Sequence, residues 1–384
     1  MANASEPGRL LYAAGTDCAD MLYATGVMAP DPFLWYELPA ANRAGEAGVV
    51  VSALEIGRAR ATARDHLKVQ SMAEARRRWD LAVESGAPET FIAALAEWSG
   101  VRQWQVPAGF PLGLARKLEE RGLALQPLAL FFPERRAKST AEVARIGAGV
   151  VVAEAALARA LSVLRDAAVV ADGTLCWQET VLTAEALRGE IDAEIVRRGG
   201  NACDTIAAPG PQGANPHAAG SGPLRAGEPI VIDIFPRMQG SGYWGDLTRT
   251  VVKGKAAAVV CRAHAAVRAA QDKAFATIRA GVAAAAVHEA AAAVLAAAGF
   301  ETDTDARLPS GFFHGLGHGL GLEVHEAPRV SSRADTELAV GDVITVEPGL
   351  YYPEWGGVRL EDVVVVEADG CRNLTSAGKE LTVV

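Results

Sequence analysis

Short apolar runs alternate with stretches of helical apolar spacing along the first third of the chain. The run "AGVVVSA" (47–53) predicts a buried strand, and "EIGRARATARDHL" behind it a helix. The order repeats in "GFPLGLARKLEERG" (109–122), a helix, and "PLALFF" (127–132), a strand. Strands separated by helices predict an α/β domain with a largely covered sheet. Proline and mixed charge in "FFPERRAKST" end that pattern. Ser139, followed by Glu142, then reads as a capping box opening a long helix through "VARIGAGVVVAEAALARALSVL". A second helix is predicted over "CWQETVLTAEALRGEIDAEIVRRGG" (176–200), stopped by its glycines. A Gly/Pro/Asn-rich loop (208–229) leads into two strands, "IVIDIF" and "LTRTVVKG". Two alanine-rich helices are predicted within 256–299, separated at Gly281, and strand patterns return from "DVITVEPGLYY" onward. Two domains are the economical division, 1–137 and 138–384.

Four acids break this pattern. Asp233 interrupts "IVIDIF", Glu347 interrupts "VITVEPGLY", Glu361 interrupts "GVRLEDVVVV", and Asp246 stands just before "LTRTVV". A carboxylate on a buried strand is costly unless a cation or several donors compensate it. Taken singly, each reads as a strand-end or edge-strand charge facing solvent. Four in one domain, beside a histidine cluster, point to a shared site.

That cluster is "HGLGHGLGLEVHE" (314–326), in which His314, His318 and His325 are interleaved with glycines and with Glu323 and Glu326. The spacing would place the histidines near one helix face. The glycines argue against a helix, since each costs about 1 kcal/mol relative to alanine. Turn and strand geometry, with backbone drawn close to something bound, fits better. From spacing alone, a glycine-rich hairpin with surface histidines is the alternative.

Composition narrows the classes. Acids outnumber bases, 46 to 37, giving a net charge of −9, so nothing favours binding to nucleic acid or to an anionic membrane. The five cysteines are scattered without a C-x-x-C pair, which supports neither a zinc ribbon nor a disulfide framework. The first residues lack a basic stretch before an apolar run, and the alanine-rich runs are too short to span a bilayer. A soluble, cytoplasmic protein is expected.

The set Asp233, Asp246, "HGLGHGLGLEVHE", "VEPGLY" and "VRLED" resembles the M24 metallopeptidases, over roughly residues 138–384. The family includes methionine aminopeptidase, aminopeptidase P and Xaa-Pro dipeptidase (prolidase). "ADMLYATGVMAPDPFLWYE" and "RRAKSTAEVARI" look like the creatinase/prolidase-type N-terminal domain and its junction with the catalytic domain. The resemblance implies an α+β pita-bread catalytic domain preceded by a smaller α/β domain. It implies five metal ligands, Asp233, Asp246, His318, Glu347 and Glu361, with Asp246 and Glu361 bridging two divalent ions. Such a donor set favours Mn²⁺, with Co²⁺ or Zn²⁺ as substitutes. Two cations would cancel four carboxylate charges that otherwise repel. The implied reaction is hydrolysis of the bond before proline by a metal-bridging hydroxide, with Glu347 as general base.

The resemblance gives the remaining polar residues their roles. His325 would donate to the substrate carbonyl, and His217 would contact the scissile amide. His314 would line the proline pocket, and Arg329 would bind the substrate C-terminal carboxylate. Arg359 would orient the ligand carboxylates. Short proline-containing peptides are the expected substrates, and a homodimer is expected, with "APDPFLWYE" (29–37) as exposed-looking sequence available for the contact. Arg329 and the modest chain length favour the dipeptidase over aminopeptidase P. A creatinase-like hydrolase or a binding module would lack part of the ligand set. Two departures stand out: Asp233 and Asp246 are spaced wider than is usual, and Cys203 occupies a site-wall position where relatives often carry tyrosine.

Overall fold

Consecutive apolar residues in the first strands are buried on both faces, so the sheet they form is covered on both sides. In the computed structural model, which describes residues 6–82, 86–305 and 307–383, the chain divides into two compact units at the Arg135–Arg136 junction. The first unit holds a mixed six-stranded sheet in the order Lys68–Ser71, Ala47–Val51, Phe33–Glu37, Gly8–Ala13, Gln103–Pro107, Ala124–Leu128. Alternate side chains enter two cores: Leu10, Leu34, Tyr36 and Val50 on one face, and Leu11, Phe33, Trp35, Val49 and Val51 on the other. Each such side chain contributes about 1.5–3 kcal/mol on burial.

Two expectations change here. The aromatic run 33–36 is no exposed contact surface, because Phe33, Leu34, Trp35 and Tyr36 are at most 4% exposed within their own sheet. The strand predicted at 127–132 instead spans Ala124–Leu128, on the sheet edge, where Pro127, paired with Val106, can lack an N–H. Phe131 and Phe132 turn inward beyond it.

The second unit begins with the helix Thr140–Asp166, capped reciprocally by Ser139 and Glu142. Length and composition alone would let it cross a bilayer, but Val152, Ala153, Leu157 and Leu164 pack in a core with the helix Ala184–Arg197. This pair covers the strands Ile206–Pro209, Pro229–Ile234 and Leu247–Lys253, through Ile230, Ile232 and Ile234. The helices Ala258–Thr277 and Ala284–Ala297 share the other large core with Ile344, Val346, Val358 and Val364. Those residues belong to a five-stranded sheet ordered Glu326–Val330, Gly317–Gly319, Val343–Val346, Asp362–Val366, Cys371–Asn373, and to the hairpin Gly349–Tyr352/Gly356–Arg359.

The helix predicted over 176–200 is confined to Ala184–Arg197. Leu175–Trp177 and Thr180–Val181 form a tight hairpin instead, turned by Gln178 and Glu179 in the left-handed region. Thr183 caps the helix that follows. No glycine marks that turn, so the sequence carries no stop signal there.

Candidate metal centre

Strand alternation explains how an acid comes to lie in "IVIDIF". Ile230, Ile232 and Ile234 point into the helix-covered core, and Asp233 points to the other face, opposite Thr248 on the neighbouring strand. Asp246 immediately precedes that strand. The other three donors come from the second half of the unit. His318 is the middle residue of Gly317–Gly319, while Glu347 and Glu361 sit where strands break, after Val346 and before Asp362. The extra length between the aspartates is a hairpin in which Arg237 bridges to Trp244, and it leaves the two strands in register.

The glycines around His318 let neighbouring strands pack closely, and Gly315 and Gly317 also line the site's cavity. A β-carbon at Gly317 would collide with the Thr345 carbonyl, and one at Gly319 with the Ala327 carbonyl. They let three strands close on the histidine. Neither is in the left-handed region, so close approach is the whole requirement.

Asp246, His318 and Glu361 bring donor atoms within 4.8 Å of one another, all three residues being buried. His318 Nε2 lies 3.3 Å from Glu347 Oε1 and 3.8 Å from Asp246 Oδ2. Its Nδ1 is 3.2 Å from the Gly319 carbonyl, which can only accept and so holds the proton on that nitrogen. Asp233 Oδ2 accepts from Arg359, whereas its Oδ1 is buried and accepts no hydrogen bond among the described residues. Thr248 donates to Glu361 at 2.6 Å and Thr345 to Glu347 at 3.2 Å.

The electrostatics are unbalanced. Burial, compounded by the charges of its neighbours, pushes the carboxyls of Asp246 and Glu361 well above the usual range. Burial also raises Asp233, against the pull of Arg359. For Glu347, burial works upward, but the hydrogen bond and charge of His318 outweigh it and hold the group ionised. Four carboxylates thus share one imidazole and one guanidinium. An orphaned carboxylate oxygen and an excess of negative charge fit a site for divalent cations, which would supply the missing charge.

All five residues line one cavity of about 990 Å³, together with His217, His314, His325, Arg329 and Arg359. His217 extends from the Gly/Pro loop, where Asn215 Oδ1 accepts its backbone N–H at 3.1 Å. His325 packs edge-on to His318, with ring centroids 4.3 Å apart, and burial and neighbouring cations lower it to about 4, so its imidazole is neutral. Arg329 lies opposite His318 on the adjoining strand. His314 is tied at both nitrogens: Nδ1 to the Gly315 carbonyl at 2.7 Å, and Nε2 to Tyr351 Oη at 2.9 Å. Tyr351 in turn accepts from Arg359 at 3.0 Å, so it donates its own proton to His314. His314 therefore offers the cavity its ring rather than a free nitrogen.

Cys203 is not among the lining residues, which corrects its reading as site wall; its neighbours Asp204 and Thr205 are. Its sulfur lies 3.8 Å from the Asn201 carbonyl, and burial raises the thiol pKa. Tyr351, Thr248, Asp192 and Asp204 also belong to the site or its lining and were not singled out from sequence. Glu326, by contrast, is drawn away into a buried ion pair with Lys138 at 2.5 Å.

The sequence signature of metallopeptidase family M24 matches residues 145–368, more than half of the chain. The chain belongs to this family. Its matches among relatives include a probable dipeptidase PepE of Mycobacterium tuberculosis, 40% identical over 180 residues, 47% of this chain and 46% of the relative. A Xaa-Pro dipeptidase of Pyrococcus horikoshii is 39% identical over 181 residues, 47% of this chain and 49% of the relative. The matched segments thus span about half the length of these relatives. In fold, the likeness covers nearly everything. The crystal structure of an X-Pro aminopeptidase from Thermotoga maritima superimposes over 98% of this chain and 97% of its own, with a TM-score of 0.82 at 22% identity. The fold is therefore the α+β pita-bread architecture of M24 enzymes, with a smaller α/β unit ahead of it.

Proposed function

We propose that this M24 member is a dinuclear Xaa-Pro dipeptidase, with Asp233, Asp246, His318, Glu347 and Glu361 as metal ligands. The observation that carries the reading is the buried excess of carboxylate around His318, in a cavity that also holds His217, His325 and Arg329. When bound, the cations supply an acidified water and polarise the scissile carbonyl. The chain's own groups do the rest. Glu347 receives a proton from the nucleophile. His325, neutral and carrying an N–H, donates to the substrate carbonyl oxygen and to the oxyanion that develops there. His217 orients the scissile amide. The ring of His314 packs against the proline, and Arg329 pairs with the peptide's C-terminal carboxylate. Arg359 holds Asp233 in place through its 2.5 Å contact.

The donor chemistry, one imidazole and four carboxylates, favours Mn²⁺. A homodimer and a cytoplasmic location complete the reading. The similarity to a Xaa-Pro dipeptidase supports the dipeptide preference. A second reading, aminopeptidase P acting on longer peptides, is favoured by the fold likeness to an X-Pro aminopeptidase and by the exposed position of Arg329. Comparing Ala-Pro with Ala-Pro-Ala in the presence of Mn²⁺ decides between them. Faster cleavage of the tripeptide would replace the dipeptidase reading. Absence of both bound metal and Mn²⁺ activation would favour a creatinase-like hydrolase or a binding module.

A further inference from the structure

Glu347 and Glu361 both stand where a strand is interrupted. One lies between Val343–Val346 and Gly349–Tyr352, the other between Gly356–Arg359 and Asp362–Val366. Buried backbone groups at such breaks need partners from outside the ladder. The carbonyls of Val346 and Leu360, each immediately before a glutamate, find the same one. Gln271, fully buried on the helix Ala258–Thr277, donates its amide nitrogen to Val346 O at 2.9 Å and to Leu360 O at 3.2 Å. Its Oε1 accepts from Lys379 Nζ at 2.5 Å, which turns the nitrogen toward the two carbonyls. Lys379 also pairs with Asp362 at 2.7 Å. Arg249 closes the other side, donating to Glu361 O at 2.7 Å and to Asp362 Oδ1 at 2.8 Å.

A buried amide among alanines costs desolvation unless it is fully bonded, and helix packing alone would be served by an apolar residue. We infer that Gln271 is a positioning residue of the metal centre. Its amide fixes the separation of the two backbones that carry Glu347 and Glu361, and hence the spacing of their carboxylates. The inference rests on the two-cation reading above. Gln271 does not line the cavity, so it acts on the centre only through those backbones.

The test is a Co²⁺ titration of metal-stripped protein, followed by the visible absorption of the bound ion. Wild type is compared with Gln271→Leu and Lys379→Met. Outer partners of metal ligands typically govern affinity by about 10–100-fold, and a loss in that range is expected for Gln271→Leu. Its absorption band should change with the altered ligand geometry, which a purely structural role would leave untouched. Lys379→Met keeps the amide but removes its anchor, so it should move the same way by a smaller factor. It also serves as the test should Gln271→Leu not fold. Wild-type affinity and spectrum in the folded variant would overturn the inference and leave the metal site standing. Wild type that takes up no Co²⁺ would overturn both.

Discussion

Arg359 Nη2 lies 2.5 Å from Asp233 Oδ2, both residues are buried, and among the described residues nothing donates to the second oxygen of that carboxylate. Removing one partner of a buried pair leaves an uncompensated charge. Arg359→Met should therefore cost about 3–5 kcal/mol in denaturant unfolding of the metal-free protein. Bound cations replace the lost charge, so saturating Mn²⁺ should recover part of the loss. An equal deficit with and without metal would show that Asp233 does not face the cations.

His325 is exposed toward the cavity and touches His318 through its ring. In the proposed function its contribution lies in the reaction rather than in folding. His325→Ala should lower kcat by about 10²–10³-fold, as expected for loss of an oxyanion donor. Unfolding free energy should stay within about 0.5 kcal/mol, as at other exposed positions. Steady-state kinetics and urea unfolding on the same preparation check both halves.

Glu326 and Asp246 separate a structural acid from a proposed ligand. Glu326 is paired with Lys138 at 2.5 Å, with side chains 8% and 2% exposed. Glu326→Ala should cost about 3–5 kcal/mol and leave metal content unchanged in the folded protein. Asp246→Ala should do the reverse, losing metal while relieving a carboxylate that burial disfavours. Elemental analysis beside unfolding curves distinguishes the two patterns.

His288 gives the stability a pH dependence. Its Nδ1 accepts the Leu316 N–H at 3.2 Å, its ring stacks on Phe312, and burial holds its pKa below the usual 6.5. The unfolded chain then binds the proton more readily, so this group's contribution is present above about 6.5 and fades as pH falls toward its folded pKa. That contribution should decline as pH falls through about 6.5 and below. Gln at this position cannot titrate, so His288→Gln should show the shallower drop. Equal slopes would remove His288 as a source.

The acids of the proposed ligand set were legible because polarity violated pattern. Asp233, Glu347 and Glu361 stand inside apolar runs, where a carboxylate has no ordinary reason to be. Gln271 and Tyr351 were not, for opposite reasons. A glutamine in an alanine-rich helix reads as its solvent face, and a tyrosine in "GLYY" reads as strand propensity. Their partners lie far away in sequence: Gln271 meets carbonyls 75 and 89 residues on. Local pattern carries no trace of such contacts. The run 33–36 misled in another way, since a sheet covered on both faces buries consecutive aromatics that resemble an exposed patch. The glycines beside His318 read as room for a ligand, and they are also room for neighbouring strands.

In the proposed function, five side chains from strands and strand ends hold the cations on which Xaa-Pro dipeptidase activity depends. Proline release from Ala-Pro by metal-stripped protein, measured as Mn²⁺ is added back, tests it most directly. No release is expected without metal, and recovery should saturate near two Mn²⁺ per chain and be lost in Asp246→Ala. Undiminished release from the stripped protein, or none at any Mn²⁺ concentration, would contradict it.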